Sequence, residues 1–396
     1  MAAALDNIKV VDLTRTLAGP FCTMLMGDMG AEVIKIEEPT AGDETRNWTP
    51  FVNGESTQFL TFNRNKRSLA VNLKEPEGLK IVKDLAADAD VMIESFRAGT
   101  LDRLGLGYDE IKKINPGVVY CSISGYGRTG PMADMPGYDL LIQAYSGLMS
   151  LTGDPDGMPL RIGFSLVDLF TGMMAYGTIL TALRQRDQTG KGQWVESALL
   201  DGQVAALSYH ATGFMGTGVE PTRMGSGHPS LVPYQSFSSS SGQFIVGCAN
   251  QGLWERMCRA IGQDAMLEDP RYTTNTDRVE HRAECVGELK AVFARNTTDH
   301  WVGLIVEAGV PCGPINTVSE VVSNPQVLAR NMIAEVDHPN VPNLKFPASP
   351  LKLTDSPATI RRVPPLLGQH NEEILAEAGY SPEKIADMKE RGVISS

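Results

Sequence analysis

Ile8–Glu37 reads IKVVDLTRTLAGPFCTMLMGDMGAEVIKIE, and the order of features in it decides the fold. Ile8–Leu13 is a short apolar run suited to a buried strand. Ala18-Gly19-Pro20 opens a helix over Phe21–Met29, and Gly30 stops it. Glu32–Glu37 is the next strand, which completes a β-α-β unit. The pattern returns with a strand at Ser68–Leu73, a helix over Pro76–Ala87, a strand at Val91–Glu94, a helix over Tyr108–Ile114 and a strand at Val118–Ile123. Such alternation predicts an α/β fold whose parallel sheet is covered by helices, a Rossmann-like core. A dinucleotide is not the expected ligand. The turn after the first strand, TRTLAGP, lacks the paired glycines that let a pyrophosphate approach the backbone.

Further along, Ile162–Leu183 (IGFSLVDLFTGMMAYGTILTAL) is long enough to suggest a membrane span, yet it contains Asp168 and is flanked by Arg161 and Arg184. A charge near the middle of a span costs ~2.5–3.5 kcal/mol on insertion scales. A helix buried inside a large soluble domain is expected instead. A polar turn, Gln188–Gly192, then leads into a strand-to-helix segment, Trp194–Leu207. From Thr222 the texture changes: SFSSSSGQFIVGC reads as a hairpin, followed by helices and polar loops. Near the end, LLGQHNEEILAEAGY is amphipathic. The expected division is a large Rossmann-like domain over 1–221, a small α/β domain over 222–341, and a segment over 342–396 that returns to the large domain.

The chain has 396 residues, a formal net charge of −12, 42% hydrophobic and 21% charged residues, a globular balance that excludes wholesale disorder. Its acidity argues against a nucleic-acid or anionic-membrane partner while leaving room for a local basic pocket. The six cysteines show no paired spacing, so free thiols in a reducing compartment are expected, and the histidines show no ligand spacing, so no metal is. MAAALDNIKVVDL has no basic region before an apolar core, which makes the cytoplasm the expected location.

Asp168 is the most informative single residue. It is the only charge between Arg161 and Arg184, and its neighbours are mostly apolar. A carboxylate there must find donors or gain proton affinity, so it is either a helix cap or an active-site group. His228, in GSGHP, is either a plain loop histidine or a pocket group. Lys66-Arg67, after Asn63-Arg64-Asn65, is either a phosphate-binding cluster or a solvated loop. Gly125–Pro131 (GYGRTGP) follows a strand, where an open α/β sheet binds ligands.

Taken in order, VVDLTRTLAGPFCTMLMGDMGAEVIKIE, GDETR, NRNKRSLAVNLK, SGYGRTGP, GYDLLIQAYSGLMSLTG, VDLFTG and TGKGQWVESALLDG resemble class III CoA-transferases, from about Ile8 to GQHNEEIL near the end. Within that group, GHPSLVPYQSF, GVPCGPINTVSEV and PPLLGQH are most similar to succinyl-CoA:glutarate (dicarboxylate) transferases. The resemblance implies a Rossmann-like large domain, a smaller domain, and a homodimer of two subunits threaded like linked rings. It implies no permanently bound cofactor, a CoA thioester as co-substrate, and Asp168 as the catalytic carboxylate. It carries CoA binding to Arg15, Thr16, Leu17, Ala18, Lys66, Arg67, Leu69, Ser95, Phe96 and Arg103. Phe96 is otherwise readable as a core residue. Gly225 and Gly227 become candidates to stabilise an oxyanion. Arg46 and His228 become candidates to grip the acceptor, with a structural salt bridge the other reading of Arg46. Tyr138 stands beside the substrate where the group's racemases have a histidine, and a neutral tyrosine is a poor base. Two departures stand out. Glu38 replaces an Arg that many relatives use for the nucleotide, and GSGHPS replaces the longer glycine run of formyl-CoA transferases, which argues against oxalate as acceptor. A non-catalytic CoA-binding protein is the alternative of a different class.

Overall fold

Six parallel strands form the centre of the computed structural model, which describes residues 3–395. They are β1 (Lys9–Leu13), β2 (Glu32–Glu37), β3 (Lys66–Ala70), β4 (Val91–Glu94), β5 (Val119–Ser124) and β6 (Trp194–Ala198). Their order is β3-β2-β1-β4-β5-β6, every neighbouring pair parallel. The chain winds outward from β1 to β3, then crosses back to start again at β4. Loops leaving β1 and β4 therefore diverge at the carboxyl edge and open a crevice between them.

The strands are apolar on both faces, as a sheet covered on both sides requires. Val11, Met92 and Tyr120 face one buried layer with Ile81, Val82 and Ile111; Val10, Ile93 and Cys121 face the other with Cys22, Met26, Ala175 and Ile179. The first layer rests on α2 (Pro76–Ala87), the second on α1 (Ala18–Asp28). Two further helices complete the second side: α3 (Asp139–Tyr145) and the long α4 (Leu166–Thr189), followed after β6 by α5 (Leu199–Ala206).

Contacts divide the chain into two compact units. The larger takes everything up to Leu148, Ile162–Gly216 and Leu328 onward, and the smaller takes Met149–Arg161 with Thr217–Val327. In the smaller unit β7 (Tyr234–Ser238) and β8 (Gln243–Gly247) make the hairpin read from the serine-rich stretch, and β9 (Cys312–Pro314) pairs with β8. Phe237, Phe244, Phe293 and Trp301 interlock edge to face beneath it. In the larger unit, the exposed edge of β3 is covered by later chain: Asn371 Oδ1 accepts from the Ala70 N–H at 2.9 Å, and the Asn72 N–H donates to the Val393 carbonyl at 2.8 Å.

One expectation needs correcting. β3 starts two residues earlier than Ser68, and Asn63–Arg67 is buried, so the basic cluster is not a solvated loop. Its charges face inward because they have partners there. Arg64 binds Asp28 at 2.6 Å, Asn65 joins them, and the Lys66 ammonium lies 3.2 Å from Asp12.

The apolar helix α4 is long and apolar enough to cross a membrane, alone in this among the described residues. It buries one stripe, Val167, Thr171, Gly172, Ala175, Ile179, Ala182 and Leu183, while Phe170 and Met173 stay on the surface. Gly172 lets α4 approach α1 so closely that a Cβ there would lie 2.5 Å from the Ala18 carbonyl oxygen. Gly172→Ala is therefore expected to destabilise the larger unit by about 1–3 kcal/mol, because backbone must move to admit one methyl group. A urea titration checks this; a wild-type midpoint would mean that the helices have slack at that point.

Candidate active site

At the carboxyl edge of the sheet lies a cavity of about 310 Å³. Its walls are the loop after β1 (Arg15–Leu17) with the first residues of α1 (Ala18-Gly19), the loop after β4 (Ser95–Ala98), Ser124 at the end of β5 with Gly125 after it, Met135–Tyr138 ahead of α3, Leu199 after β6, and Asp168. All of these belong to the larger unit.

The loop after β1 is held from below by buried charges. Asp12, at the end of the strand, accepts from the Thr14 N–H at 2.9 Å, from the Thr23 hydroxyl at 2.6 Å and from Lys66. Lys35 donates to the Thr14 carbonyl at 3.0 Å and to Asp43 at 2.8 Å. Asp43 in turn accepts from the Thr16 N–H at 3.3 Å. Burial pushes the Asp43 carboxyl up, but Lys35 and the donors of Thr45 outweigh it and leave it at about 2. Thr16 sits at φ 70°, unusual for a β-branched residue, and these bonds hold it there.

The loop after β4 is tied to the first. The Arg15 N–H donates to the Ser95 hydroxyl at 3.2 Å, and its guanidinium stacks 4.8 Å from the centre of the Phe96 ring. Behind Phe96, Glu94 accepts the Phe96 N–H at 2.8 Å and pairs with Arg128. Burial nevertheless raises the Glu94 pKa above its ordinary value, against the pull of Arg128.

Asp168 is the third residue of α4 and partly buried. It does not cap its helix. Asp139 does so, accepting the Val167 N–H at 2.9 Å. Among the described residues, no side-chain hydrogen bond or ion pair engages the Asp168 carboxylate. Burial, and secondarily the charge of Asp139, pushes its pKa up to about 7. A carboxyl group facing a cavity, poorly solvated and without a partner, is suited to act as a nucleophile or a proton carrier.

The cavity thus gathers Arg15, Thr16, Leu17, Ala18, Ser95, Phe96, Tyr138 and Asp168 from the expected site. It leaves out others for visible reasons. Lys66 and Leu69 are buried, and the Arg67 guanidinium is taken by Glu32, Glu373 and Glu377. Arg46 makes a two-pronged pair with Glu37 at 2.7 and 2.8 Å and stacks on Phe59, which matches its salt-bridge reading. Arg103 is exposed and bonded to Thr100, outside the cavity lining. Glu38 folds back on its own turn, accepting from the Thr40 and Ala41 N–H groups. Gly225, Gly227 and His228 lie in the smaller unit, where the Gly225 N–H bonds the Gly153 carbonyl and His228 Nδ1 accepts from the Ser230 N–H. Arg97 on the cavity wall and the capping Asp139 were missed by sequence reasoning; position directly after Ser95-Phe96 was the only signal for Arg97. Among the described residues, no group of three or more His, Cys, Asp or Glu side chains is arranged to hold a metal ion.

Comparison with known proteins converges on one group. The family model described as CoA-transferase family III matches residues 5–371. The chain is 46% identical over 392 residues to the succinyl-CoA:glutarate CoA-transferase of Mus musculus, covering 98% of this chain and 90% of that protein. Its Homo sapiens counterpart is 43% identical with the same coverage. A crystal structure of a CaiB/BaiF family protein from Brucella suis superposes with a TM-score of 0.86 at 39% identity, covering 96% of this chain and all of that one.

The raised proton affinity of Asp168 makes a prediction about stability. Its carboxyl is protonated in the folded chain up to about pH 7 but ionises from 3.8 in an unfolded one. The ionised side chain therefore opposes folding progressively from about pH 4 to about pH 7, and fully above that. Asp168→Asn is expected to raise the thermal midpoint by an amount that grows through this range and levels off beyond it. Melting curves at pH 4, 6 and 8.5 check this; an equal gain at all three would mean that Asp168 titrates normally.

Proposed function

The chain belongs to CoA-transferase family III, and on that footing we propose that it moves CoA from succinyl-CoA to glutarate, with Asp168 as the covalent carrier. The observation that carries this is the unpartnered Asp168 carboxyl on a cavity at the switch point of the sheet. Exchange of CoA between carboxylic acids needs a group that can itself become an activated acyl, and a carboxylate can. The Asp168 carboxylate attacks the thioester carbonyl and expels CoA thiolate, leaving a succinyl-aspartyl anhydride. Thiolate leaves readily because a thiol has a pKa of only about 8.5. It then attacks the aspartyl carbonyl, expels succinate and leaves an aspartyl-CoA thioester. Glutarate displaces the thiolate in turn, and thiolate attack on the glutaryl carbonyl of the new anhydride frees glutaryl-CoA and Asp168.

The arginines Arg15 and Arg97 suit the phosphates of CoA, and Thr16, Leu17, Ala18, Ser95 and Phe96 suit its uncharged length. Tyr138 is assigned to the acyl end, and Gly225, Gly227 and His228 are kept as candidate substrate residues. We also assign a cytoplasmic homodimer of interlocked rings. Six free cysteines fit a reducing compartment. Exposed Leu140, Leu141, Tyr145, Phe170, Met173, Phe214 and Met215 on the larger unit form the kind of apolar surface that a second copy covers.

The test is to incubate the protein with succinyl-CoA and a pool of acids (glutarate, itaconate, malate, citramalate, oxalate and carnitine) and to identify new thioesters by mass spectrometry. Glutaryl-CoA should dominate; another dominant thioester would keep the transferase and replace the acceptor. Asp168→Ala is expected to cut transfer by roughly 10³-fold or more. Transfer that survives in this variant would rule out the covalent route. Arg97→Ala and Arg15→Ala should each raise the KM for succinyl-CoA roughly tenfold, as loss of a charged hydrogen bond does, with kcat little changed.

A further inference from the structure

The mechanism above makes no use of the residues that hold the chain leading into Asp168. Asp139, at the start of α3, and Gln143, one turn later, are both buried, with 8% and 0% exposure. Asp139 Oδ1 accepts from Gln143 Nε2 at 2.6 Å, and its Oδ2 accepts the Val167 N–H at 2.9 Å. Gln143 Oε1 accepts the Ile162 N–H at 2.8 Å. Together they grip the segment 162–167 at both ends. Ser165, at the N-cap position of α4, makes no side-chain cap of its own, so the first turn relies on this grip. The start of α3 is itself fixed against the loop after β5, where a Cβ on Gly125 would lie 2.5 Å from the Gly137 Cα.

A neutral serine or asparagine would cap a helix as well as an aspartate does. Here the cap carries a charge, it is buried, and it lies close enough to Asp168 to act on its ionisation. Arg15, Arg97, Glu44, Asp134 and Tyr138 also line the cavity, but the neighbouring charge that acts on Asp168 is Asp139. Such an arrangement is unfavourable for stability and makes sense if the charge serves the reaction. A carboxylate that another carboxylate repels gives up more free energy when it forms a neutral acyl bond.

We propose that Asp139, braced by Gln143, is a positioning residue for the nucleophile: it fixes the first turn of α4 through Val167, and its negative charge makes Asp168 more reactive than an ordinary aspartate. This rests on Asp168 being the covalent carrier, and the experiment separates the two. The pH profile of kcat/KM for succinyl-CoA is measured for the wild type, Asp139→Asn, Asp139→Ser and Gln143→Met, with folding checked by near-ultraviolet circular dichroism and CoA binding by calorimetry. The wild-type profile should fall on the acid side of about pH 7, where Asp168 takes up its proton. Asp139→Asn keeps an acceptor for Val167 without the charge but sets its NH2 against Gln143 Nε2, so it loosens the brace as well, and the acid limb rather than kcat reads the charge. Its acid limb should move to lower pH by about half a unit or more, because removing a like charge favours ionisation, and its plateau kcat should drop about tenfold, with KM nearly unchanged. Asp139→Ser gives a second neutral cap with the same expected direction should the Asn variant fold poorly. Gln143→Met keeps the charge and loosens the brace, so kcat should fall with the acid limb in place. An unmoved limb in the folded neutral variants overturns the role of the charge, and a wild-type kcat in Gln143→Met overturns the role of the brace. Transfer by Asp168→Ala would overturn the covalent reading beneath both.

Discussion

Everything at the carboxyl edge of the sheet depends on one buried arrangement of charge: Asp12 with Lys66, and Lys35 with Asp43. Each is fully or almost fully removed from solvent. Four charges in such a place would be ruinous singly, since taking an ion out of water costs several kcal/mol even after relaxation. They are tolerated because every one is answered by an opposite charge and by further polar groups: hydroxyl or backbone groups of Thr14, Thr16, Thr23 and Thr45 for Asp12, Lys35 and Asp43, and the Pro20 carbonyl with Asn63 Oδ1 for Lys66. The same bonds explain why a threonine can persist at φ 70° in a loop with no glycine at that position. A dinucleotide-type fold opens this turn with glycines. In this chain, charge pairs hold the backbone, and the Arg15 and Thr16 N–H groups are engaged by Ser95 and Asp43.

From that fixed loop the rest follows by contact. α1 begins at Ala18, and Gly172 seats α4 against the Ala18 carbonyl, one helical turn beyond Asp168. Asp168 is thereby set at the cavity wall by a backbone-to-backbone approach rather than by a bond to its own side chain. Arg15 crosses to Phe96, and Glu94 with Arg128 hold the backbone of Phe96 from behind. The crevice that strand order makes available is narrowed in this way to a cavity whose walls come from β1, β4, β5 and α4.

What was legible in the sequence had local causes. The alternation of apolar runs around Ile8–Glu37 is a matter of neighbouring residues, and the strands and α1 appear within a few positions of where it places them. Asp168 stood out because a lone charge in an apolar run is visible without a partner. What was not legible depended on residues far apart in the chain. Lys66 and Arg67 look like a solvated pair until Asp12 and Glu373 are brought beside them, 54 and 306 positions away. Asp139 caps a helix that starts well downstream, with 28 positions between it and Val167, so no capping pattern announces it. Side chains of one type serve opposite ends, and only folded proximity tells a structural cation from one that faces a ligand.

That difference between paired and unpaired charge also says where chemistry can occur. Below the cavity floor each ion is matched, so its reactivity is suppressed: Asp43 is held at about 2 and cannot compete as a base or nucleophile near neutrality. Asp168 lies within the same unit under the opposite condition, with burial and Asp139 both opposing its charge and, among the described residues, no cation paired with it. An ordinary aspartate in water is too well solvated to attack a thioester readily, and a salt-bridged one is worse still. The fold keeps its scaffold carboxylates stable by pairing them, and keeps one carboxylate reactive by denying it a partner. The instability this leaves at Asp168 would be relieved if the side chain became an ester-like neutral group, which is the direction that the proposed covalent transfer takes.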